Sequence, residues 1–98
     1  MKPVVVWRRA RTDRREIGDF MAADNPTRAR SVVPELRTRC QARGRRPMMG
    51  RPAPEMALNV RILRFRSSLI LHPNLDDRIS IDRVLHSARD RSIVPPYE

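Results

Sequence analysis

The stretch "ISIDRVLHSARD", residues 79–90, decides the fold assignment because it changes character halfway along. Ile79 and Ile81 alternate with polar residues, which is the pattern of a half-buried β-strand. The second half is rich in basic side chains instead: Arg83, His86 and Arg89. We therefore predict a strand that Ile79, Ile81 and Leu85 anchor to the helices and whose end presents cations at a functional rim.

Two further strands are predicted before it. Residues 58–65 have a period of two, and their apolar positions fall on both parities, so both faces of this strand are predicted to be partly apolar. The segment "SSLILHP", residues 67–73, is a second short strand that ends at Pro73. The segment "NLDD" supplies a turn, and the third strand covers residues 78–86. Together these strands form a meander.

The N-terminal part predicts a strand followed by a helix. The segment "PVVVW", residues 3–7, is short and β-branched, as a first strand should be. Residues 8–24 follow as a helix with apolar side chains along one stripe: Ala10, Ile17, Phe20 and Met21. Its exposed side is predicted to carry the charged residues Asp13, Arg14, Arg15, Glu16 and Asp19.

A second helix is predicted for residues 26–43, because Pro26 fits the first turn of a helix after the break at "ADNPT". Its apolar stripe is Ala29, Val32, Val33, Leu36 and Cys40. Pro34 removes a backbone hydrogen bond inside this helix at a cost of roughly 3 kcal/mol, so we expect a kink or local distortion there. Gly44 fits the helix end, and the Pro-rich "RRPMMGRPAPE" that follows is predicted to be a loop.

The predicted order of elements is therefore β-α-α-β-β-β. It describes an α+β fold in which a helical hairpin packs on one face of a small, mainly antiparallel sheet. A chain of 98 residues suits a single domain, which we assign to residues 1–98 with a flexible tail at 91–98. The apolar run at the N-terminus is too short for a signal peptide or a membrane span, so we expect a soluble cytoplasmic protein.

The charge of the chain is strongly positive. There are 21 Lys and Arg residues, all arginine except Lys2, against 11 acidic residues, which gives a net charge of +10. Such a balance implies attraction to nucleic acid, to an acidic protein segment or to an anionic membrane surface. A GC-rich genome would produce the same arginine bias without any function.

The sequence offers little material for metal or covalent chemistry. Cys40, His72 and His86 lie far apart and show no paired ligand spacing, so we expect no metal site. Cys40 falls on the apolar stripe of the second helix, where a packing role is expected. With 3 glycines the chain has no glycine-rich phosphate loop, and we expect no cofactor.

Several motifs occur in one order along residues 3–90: "VVW", "REIGDFMAADNP", "ARSVV", "LRTRC", "GRPAPE", "VRIL" and "ISIDRVLHSARD". In this order and at this spacing the chain resembles the ParE/RelE family of bacterial toxin–antitoxin toxins, and it is closer to the ParE branch. It departs from the family pattern at Pro34 and at Arg14 and Arg43, where an aliphatic residue is usual. The segment "RSSLILHP" also lacks the tyrosines that are common in that strand.

The resemblance implies a compact sheet with the helical hairpin on one face. The other face and the tips of the sheet would receive an acidic, amphipathic segment of a cognate ParD-like antitoxin. Members of the ParE branch act on DNA gyrase, whereas those of the RelE branch cleave messenger RNA in the ribosome. We therefore expect a toxin that binds gyrase without catalysis, assembles with its antitoxin into a hetero-oligomer and has no membrane partner.

The residues predicted to bind the antitoxin or the target lie in or next to the last strands: Arg61, Arg64, Arg83, His86, Arg89 and Asp90. Guanidinium groups at such positions need anionic partners, because burying them unpaired costs several kcal/mol. Those partners are either carboxylates of the antitoxin or internal ones, Asp76, Asp77, Asp82 and Asp90. The remaining arginines are assigned to a solvated helix surface, among them Arg8, Arg9, Arg11, Arg15, Arg28, Arg30 and Arg37.

Two alternative functions remain open. A ribosome-dependent endonuclease would use His86, Arg61, Arg83 and Arg89 for catalysis, although His86 could equally be a structural residue. Tyr97 is the only tyrosine and lies in a Pro-rich tail, so an aromatic platform for a splayed base is hard to supply. The second alternative is an inactive, diverged toxin or a nucleic-acid binder held by charge alone.

Overall fold

A computed structural model describes residues 1–57 and 59–93 of the chain. Residue 58 and most of the predicted tail, residues 94–98, lie outside the described residues. Residues 87–93, which follow the last strand, form a series of turns. Over the described ranges, no helix is long and apolar enough to cross a membrane.

The strands are short and form a four-stranded and a two-stranded sheet. They are β1 (Val4–Val6), β2 (Arg51–Pro52), β3 (Val60–Phe65), β4 (Ser68–Pro73), β5 (Ile79–Ile81) and β6 (Arg83–His86). Strands β2, β3, β4 and β6 lie side by side in that order and are antiparallel. β1 pairs in parallel with β5, with Val4 opposite Ile79. The predicted α+β fold with a mainly antiparallel sheet is confirmed.

The predicted strand 78–86 is present but interrupted. β5 and β6 are separated by Asp82, whose backbone N–H donates to the carbonyl of Leu71 on β4 (3.0 Å). The interruption changes which side chains face the helices. Val84 packs in the helix-side core, whereas Leu85, which was predicted to anchor the strand to the helices, lies on the opposite face of the sheet. The prediction for Leu85 was wrong because it assumed one unbroken alternation from residue 79.

The helical hairpin consists of α1 (Arg8–Ala22) and α2 (Pro26–Gln41), and a short 3₁₀ helix follows at Ala42–Gly44. The side chain of Asn25 caps α2 by accepting from the N–H of Arg28 (2.9 Å), and Pro26 occupies the first turn, as predicted. α2 runs through Pro34 without a break. Pro34 is exposed, so the carbonyl of Arg30, which has no N–H partner at Pro34, can be solvated.

Two apolar clusters hold the layers together, one on each face of the sheet. The helix-side core contains Ala10, Ile17, Val32, Leu36, Cys40, Ile70, Ile79, Ile81 and Val84. The second cluster contains Ala53, Val60, Ile62, Leu69, Leu71 and Leu85. Val60 and Ile62 of β3 belong to the second cluster, and Leu63 and Phe65 of β3 are partly buried against the helix-side core. The prediction that both faces of this strand are partly apolar is therefore confirmed.

The predicted loop after α2 contains an additional strand, β2. Arg51 and Pro52 pair with Ile62 and Arg61 at the edge of the sheet. Proline is tolerated there because an edge strand has one side without ladder partners. The loop prediction was therefore wrong for these two residues, although it correctly excluded a central strand.

Candidate functional site

The carboxylate of Asp13, on α1, is the centre of an ion-pair network that joins the helix to β6. It is fully buried and accepts from the guanidinium of Arg83 (2.8 and 3.2 Å), from Arg89 (3.0 Å) and from the backbone N–H of Val84 (2.9 Å). Burial alone would raise the pKa of Asp13, but these hydrogen bonds outweigh it and hold the pKa below its ordinary value. Asp13 is therefore ionised at neutral pH.

Asp13 was not predicted to lie inside the protein. The sequence placed it, together with Arg14, on the exposed side of α1, yet Asp13 is 0% and Arg14 6% exposed. A signal was present, because Asp13 falls between Ala10 and Ile17 at spacings of three and four, on the apolar stripe itself. A carboxylate at such a position indicates a buried ion pair.

Arg89 extends the network towards the surface. Its guanidinium pairs with Asp90 (2.9 Å) and Glu16 (3.2 Å) in addition to Asp13. Burial would lower the pKa of Arg89, but the hydrogen bonds that it donates to Asp90 and Asp13 raise this pKa above its ordinary value. The hydrogen bonds that Arg83 donates to Asp13 likewise raise the pKa of Arg83. Both guanidinium groups are therefore held charged within the network.

Internal carboxylates thus pair with both Arg83 and Arg89. Of the four internal carboxylates that the sequence proposed as partners, Asp90 pairs with Arg89. Asp77 pairs with Arg78 instead, and Asp82 accepts from the hydroxyl of Ser80. The main partner, Asp13, was missed because it comes from the other half of the chain.

His86 lies at the end of β6 and is 8% exposed. Its Nδ1 accepts from the backbone N–H of Ala88 (3.1 Å), so the neutral ring carries its proton on Nε2. Burial, together with the charge of Arg89, lowers the pKa of His86, although Asp90 opposes this shift. The imidazole is accordingly neutral at physiological pH, and it packs against the ring of Phe20 with 5.5 Å between centroids.

The outer edge of β6 is closed by carboxylates. The backbone N–H of Val84 donates to Asp13 and that of His86 to Asp90 (2.9 and 2.8 Å). These side chains occupy donors that a strand of another molecule would otherwise use. Addition of a partner strand along β6 would therefore require the Asp13 network to open.

A cavity of about 220 Å³ lies beside His86, between the hairpin and the β3–β4 turn. We call it the His86 pocket, and its lining residues are Met21, Arg28, Val32, Phe65, Arg66, Ser67, Ser68 and His86. Its floor is apolar and its rim carries Arg28 and Arg66, which share the carboxylate of Glu35 (2.8 and 3.8 Å). The guanidinium of Arg39 also stacks on the ring of Phe65 (4.5 Å).

The remaining two predicted binding residues are separated along β3. Arg61 donates to the carbonyls of Met48 and Gly50 (2.9 and 2.8 Å), at the end of β3 that pairs with β2. Arg64 is exposed and donates to the carbonyl of Arg66 (3.0 Å) near the β3–β4 turn. The structure thus brings Arg83, His86, Arg89 and Asp90 together and leaves Arg61 at the other end of the strand.

The described residues contain no group of three or more His, Cys, Asp and Glu side chains placed to hold a metal ion. Cys40 is buried in the helix-side core, and this burial raises the pKa of its thiol. His72 is fully buried on β4, and burial together with Arg43 and Arg61 lowers its pKa to about 4. Both side chains are therefore neutral interior groups at physiological pH.

Comparison with known proteins supports the fold independently. A solved structure described as the chromosomal ParDE TA system from P. aeruginosa superimposes with a TM-score of 0.75 at 19% identity, covering 88% of this chain and 96% of that chain. No curated protein matches this sequence. A family model described as the ParE toxin of the parDE type II toxin–antitoxin system matches residues 4–91. The chain therefore belongs to the ParE toxin family of type II toxin–antitoxin systems.

Proposed function

We propose that this ParE-type toxin arrests growth by binding DNA gyrase, without catalysis by its own side chains, and that a ParD-like antitoxin neutralises it. The inference that this chain does not catalyse a reaction rests on one observation: its candidate catalytic side chains are already bound to other groups of the protein. Arg83 and Arg89 are bound to Asp13, and Nδ1 of His86 accepts a backbone hydrogen bond. The target itself is proposed from membership of the ParE family.

The alternative, cleavage of messenger RNA, receives less support from this geometry. Such a reaction needs a base for the 2′-hydroxyl and cations aimed at the developing phosphorane charge. Asp13 compensates Arg83 and Arg89, and Arg61 is turned towards the carbonyls of Met48 and Gly50. A nuclease would have to rearrange these contacts before it could act.

Gyrase inhibition is tested directly with purified components. We expect the toxin to inhibit supercoiling by gyrase and to stabilise cleaved DNA, and the purified antitoxin to reverse both effects. A translation extract that reports cleavage of messenger RNA is run beside it as the control. Inhibition that occurs only in the extract, with cleaved messages, would replace this proposal with the nuclease alternative.

The His86 pocket is proposed as an anchor site for the antitoxin. An acidic, amphipathic segment could insert an apolar side chain over Met21, Val32 and Phe65 and present carboxylates to the arginines on the rim. Arg66 is well placed for this role because its ion pair with Glu35 is long, at 3.8 Å, and its side chain is 67% exposed. The nearby Arg64 is exposed as well.

A matched pair of charge reversals tests this site. Arg66→Glu should weaken the antitoxin complex by at least about tenfold, because repulsion replaces attraction at the rim of the pocket. Arg78→Glu is the control, since Arg78 lies in the turn before β5 and pairs with its neighbour Asp77. Affinities measured by calorimetry at one salt concentration decide the matter. Equal losses in the two variants would show that only net charge matters.

A further inference from the structure

The outer face of the helical hairpin carries a second group of arginines that the proposed function does not use. Arg11 and Arg15 of α1 and Arg30 and Arg37 of α2 line one groove of about 680 Å³ between the helices. Arg37 also lines an adjacent depression with Arg45. All five side chains are exposed. We call this group the basic face: Arg11, Arg15, Arg30, Arg37 and Arg45.

In the part of the chain that the structure describes, no carboxylate forms an ion pair with the basic face. Three acidic residues of the hairpin are engaged elsewhere: Asp13 and Glu16 with Arg89, and Glu35 with Arg28 and Arg66. Asp19 lines the groove towards the tip of the hairpin. The positive charge of the face is therefore available to an external anion.

Two buried guanidinium groups lie close to this face. Arg14 lines the groove although it is only 6% exposed, and Arg43, which is 2% exposed, lies in the 3₁₀ helix after α2. The Nη1 atom of each has no hydrogen-bond partner. Burial and the charges of Arg39 and Arg46 lower the pKa of Arg43. These buried charges add to the positive potential that an anion on the surface would relieve.

The chemistry of the face selects between kinds of anion. An amphipathic acidic helix needs large apolar side chains to pack against, but the apolar residues that line the groove are small: Gly18, Ala22, Pro26, Ala29 and Val33. Single-stranded nucleic acid needs an aromatic platform, and no aromatic side chain lines the groove or the depression. In the depression, arginines lie together with the polar side chains of Thr38 and Gln41, and this combination suits the phosphate backbone of a nucleic-acid duplex instead.

The spacing of the arginines agrees with this choice. Arg11 and Arg15 are separated by about 6 Å along the axis of α1, and Arg30 and Arg37 by about 10 Å along α2, from the helical rise per residue. Consecutive phosphates of one B-DNA strand advance by about 3.4 Å. For helices aligned with the duplex axis, the two separations are close to two and three such phosphate steps.

We propose that the basic face binds the phosphate backbone of double-stranded DNA without reading its sequence. The choice of DNA over duplex RNA rests on the proposed function, because gyrase acts on duplex DNA. Binding on this face would leave the His86 pocket, at the β3–β4 turn, available to another partner. The toxin would then meet gyrase already associated with its substrate.

The test compares two triple variants of the full chain that remove the same charge. Arg11→Gln/Arg15→Gln/Arg37→Gln removes charge from the basic face. The control, Arg51→Gln/Arg78→Gln/Arg91→Gln, removes the same charge outside the basic face. Arg51 pairs with Glu55, Arg78 pairs with Asp77, and Arg91 lies in the turns after β6. Affinity for a 20-base-pair DNA duplex is measured by fluorescence anisotropy across a salt series, without gyrase or antitoxin. Circular dichroism checks that both variants fold.

Wild type should bind with an affinity that falls steeply with salt. The basic-face variant should lower the salt slope by roughly 0.9 for each phosphate that it no longer neutralises, or about 2.7 for three, while the control should keep the wild-type slope. The single variant Arg37→Gln, with an expected change of about 0.9, serves if the triple variant does not fold. Equal effects of the two triple variants, or no binding by wild type, would overturn the proposal.

Three competitors define the ligand. Single-stranded DNA and poly-glutamate of equal charge should each compete at least about tenfold less well than duplex DNA, whereas duplex RNA should compete about as well, because the basic face contacts only the phosphate backbone. Competition by single-stranded DNA or poly-glutamate that equals that of duplex DNA, or a preference for duplex RNA, would overturn the choice of duplex DNA. Because gyrase is absent, failure here leaves the gyrase proposal to its own supercoiling assay. Conversely, DNA binding without gyrase inhibition would overturn the proposed function alone.

Discussion

The Asp13 network and the basic face are both rich in arginine, but they differ in how the charge is balanced. In the network, Arg83 and Arg89 share one buried carboxylate and together make five hydrogen bonds to the carboxylates of Asp13 and Asp90. On the basic face, no carboxylate of the described residues pairs with any of the five arginines. The same residue type thus stabilises the fold in one place and remains available in the other.

This difference shows why the number of charges does not locate a binding surface. Of the arginines that the sequence marked as the functional rim, Arg83 and Arg89 are compensated by internal carboxylates. Of those assigned to a solvated face, four pair with no carboxylate of the described residues: Arg11, Arg15, Arg30 and Arg37. What separates them is the docking of α1 on β6, which brings Asp13 to residues 70 or more positions away. A cation is available to a partner only where such docking has not supplied a carboxylate.

Removing the central carboxylate should have the largest effect. Asp13→Asn leaves Arg83 and Arg89 partly buried without a countercharge, and we expect a loss of about 3 kcal/mol in the free energy of unfolding. Urea denaturation measures it. Asp19→Asn on the basic side of the same helix is the matched control and should change stability by less than about 0.5 kcal/mol. A loss of similar size in the two variants would mean that the network contributes no special stability.

Acid titration sharpens the same comparison. Because the folded pKa of Asp13 lies below its ordinary value of 3.8, its contribution is complete above that pH and disappears as the pH falls through the folded value. The stability difference between wild type and Asp13→Asn should therefore shrink below about pH 4. Denaturant midpoints between pH 2 and 7 would reveal this convergence. A constant difference would contradict the ionised state of Asp13.

A separate pH effect is expected from His72. Its folded pKa of about 4 lies below the ordinary value of 6.5, so the unfolded chain binds a proton in this interval that the folded chain does not. Stability should fall as the pH drops from 6.5 towards 4, with a slope of up to about 1.4 kcal/mol per pH unit. His72→Leu should remove most of this slope and leave the part that His86 contributes. An unchanged slope in His72→Leu would refute the assignment.

The local features of the fold were readable from the sequence. Hydrophobic periodicity and proline positions predicted both helices, the meander and the order β-α-α-β-β-β, because each depends on residues a few positions apart. The β2 pairing was missed because Pro52 argues against any ladder, and the shift of Leu85 to the far face follows from the interruption at Asp82. Such features depend on contacts that periodicity does not report.

The candidate site was predicted less completely, for a physical reason. A sequence shows which guanidinium groups need a partner, but not which carboxylate will reach them, since that depends on the packing of distant elements. Asp90, next to Arg89, was found because it is local, and Asp13 was missed because it is remote. Whether Arg61, Arg64, Arg83, His86, Arg89 and Asp90 bind a partner stays a prediction.

The smallest effect should come from two neighbouring arginines on α1. Arg14 is buried with an unpartnered Nη1, so Arg14→Leu should relieve the cost of an uncompensated charge and stabilise the fold by about 1 kcal/mol. Arg15 is exposed on the basic face, so Arg15→Leu should leave stability within about 0.5 kcal/mol of wild type. A thermal midpoint raised by about 4–8 °C in Arg14→Leu alone would confirm the difference. A loss of stability in Arg14→Leu would instead mean that the folded protein compensates this charge, and the potential assigned to the basic face would then be smaller.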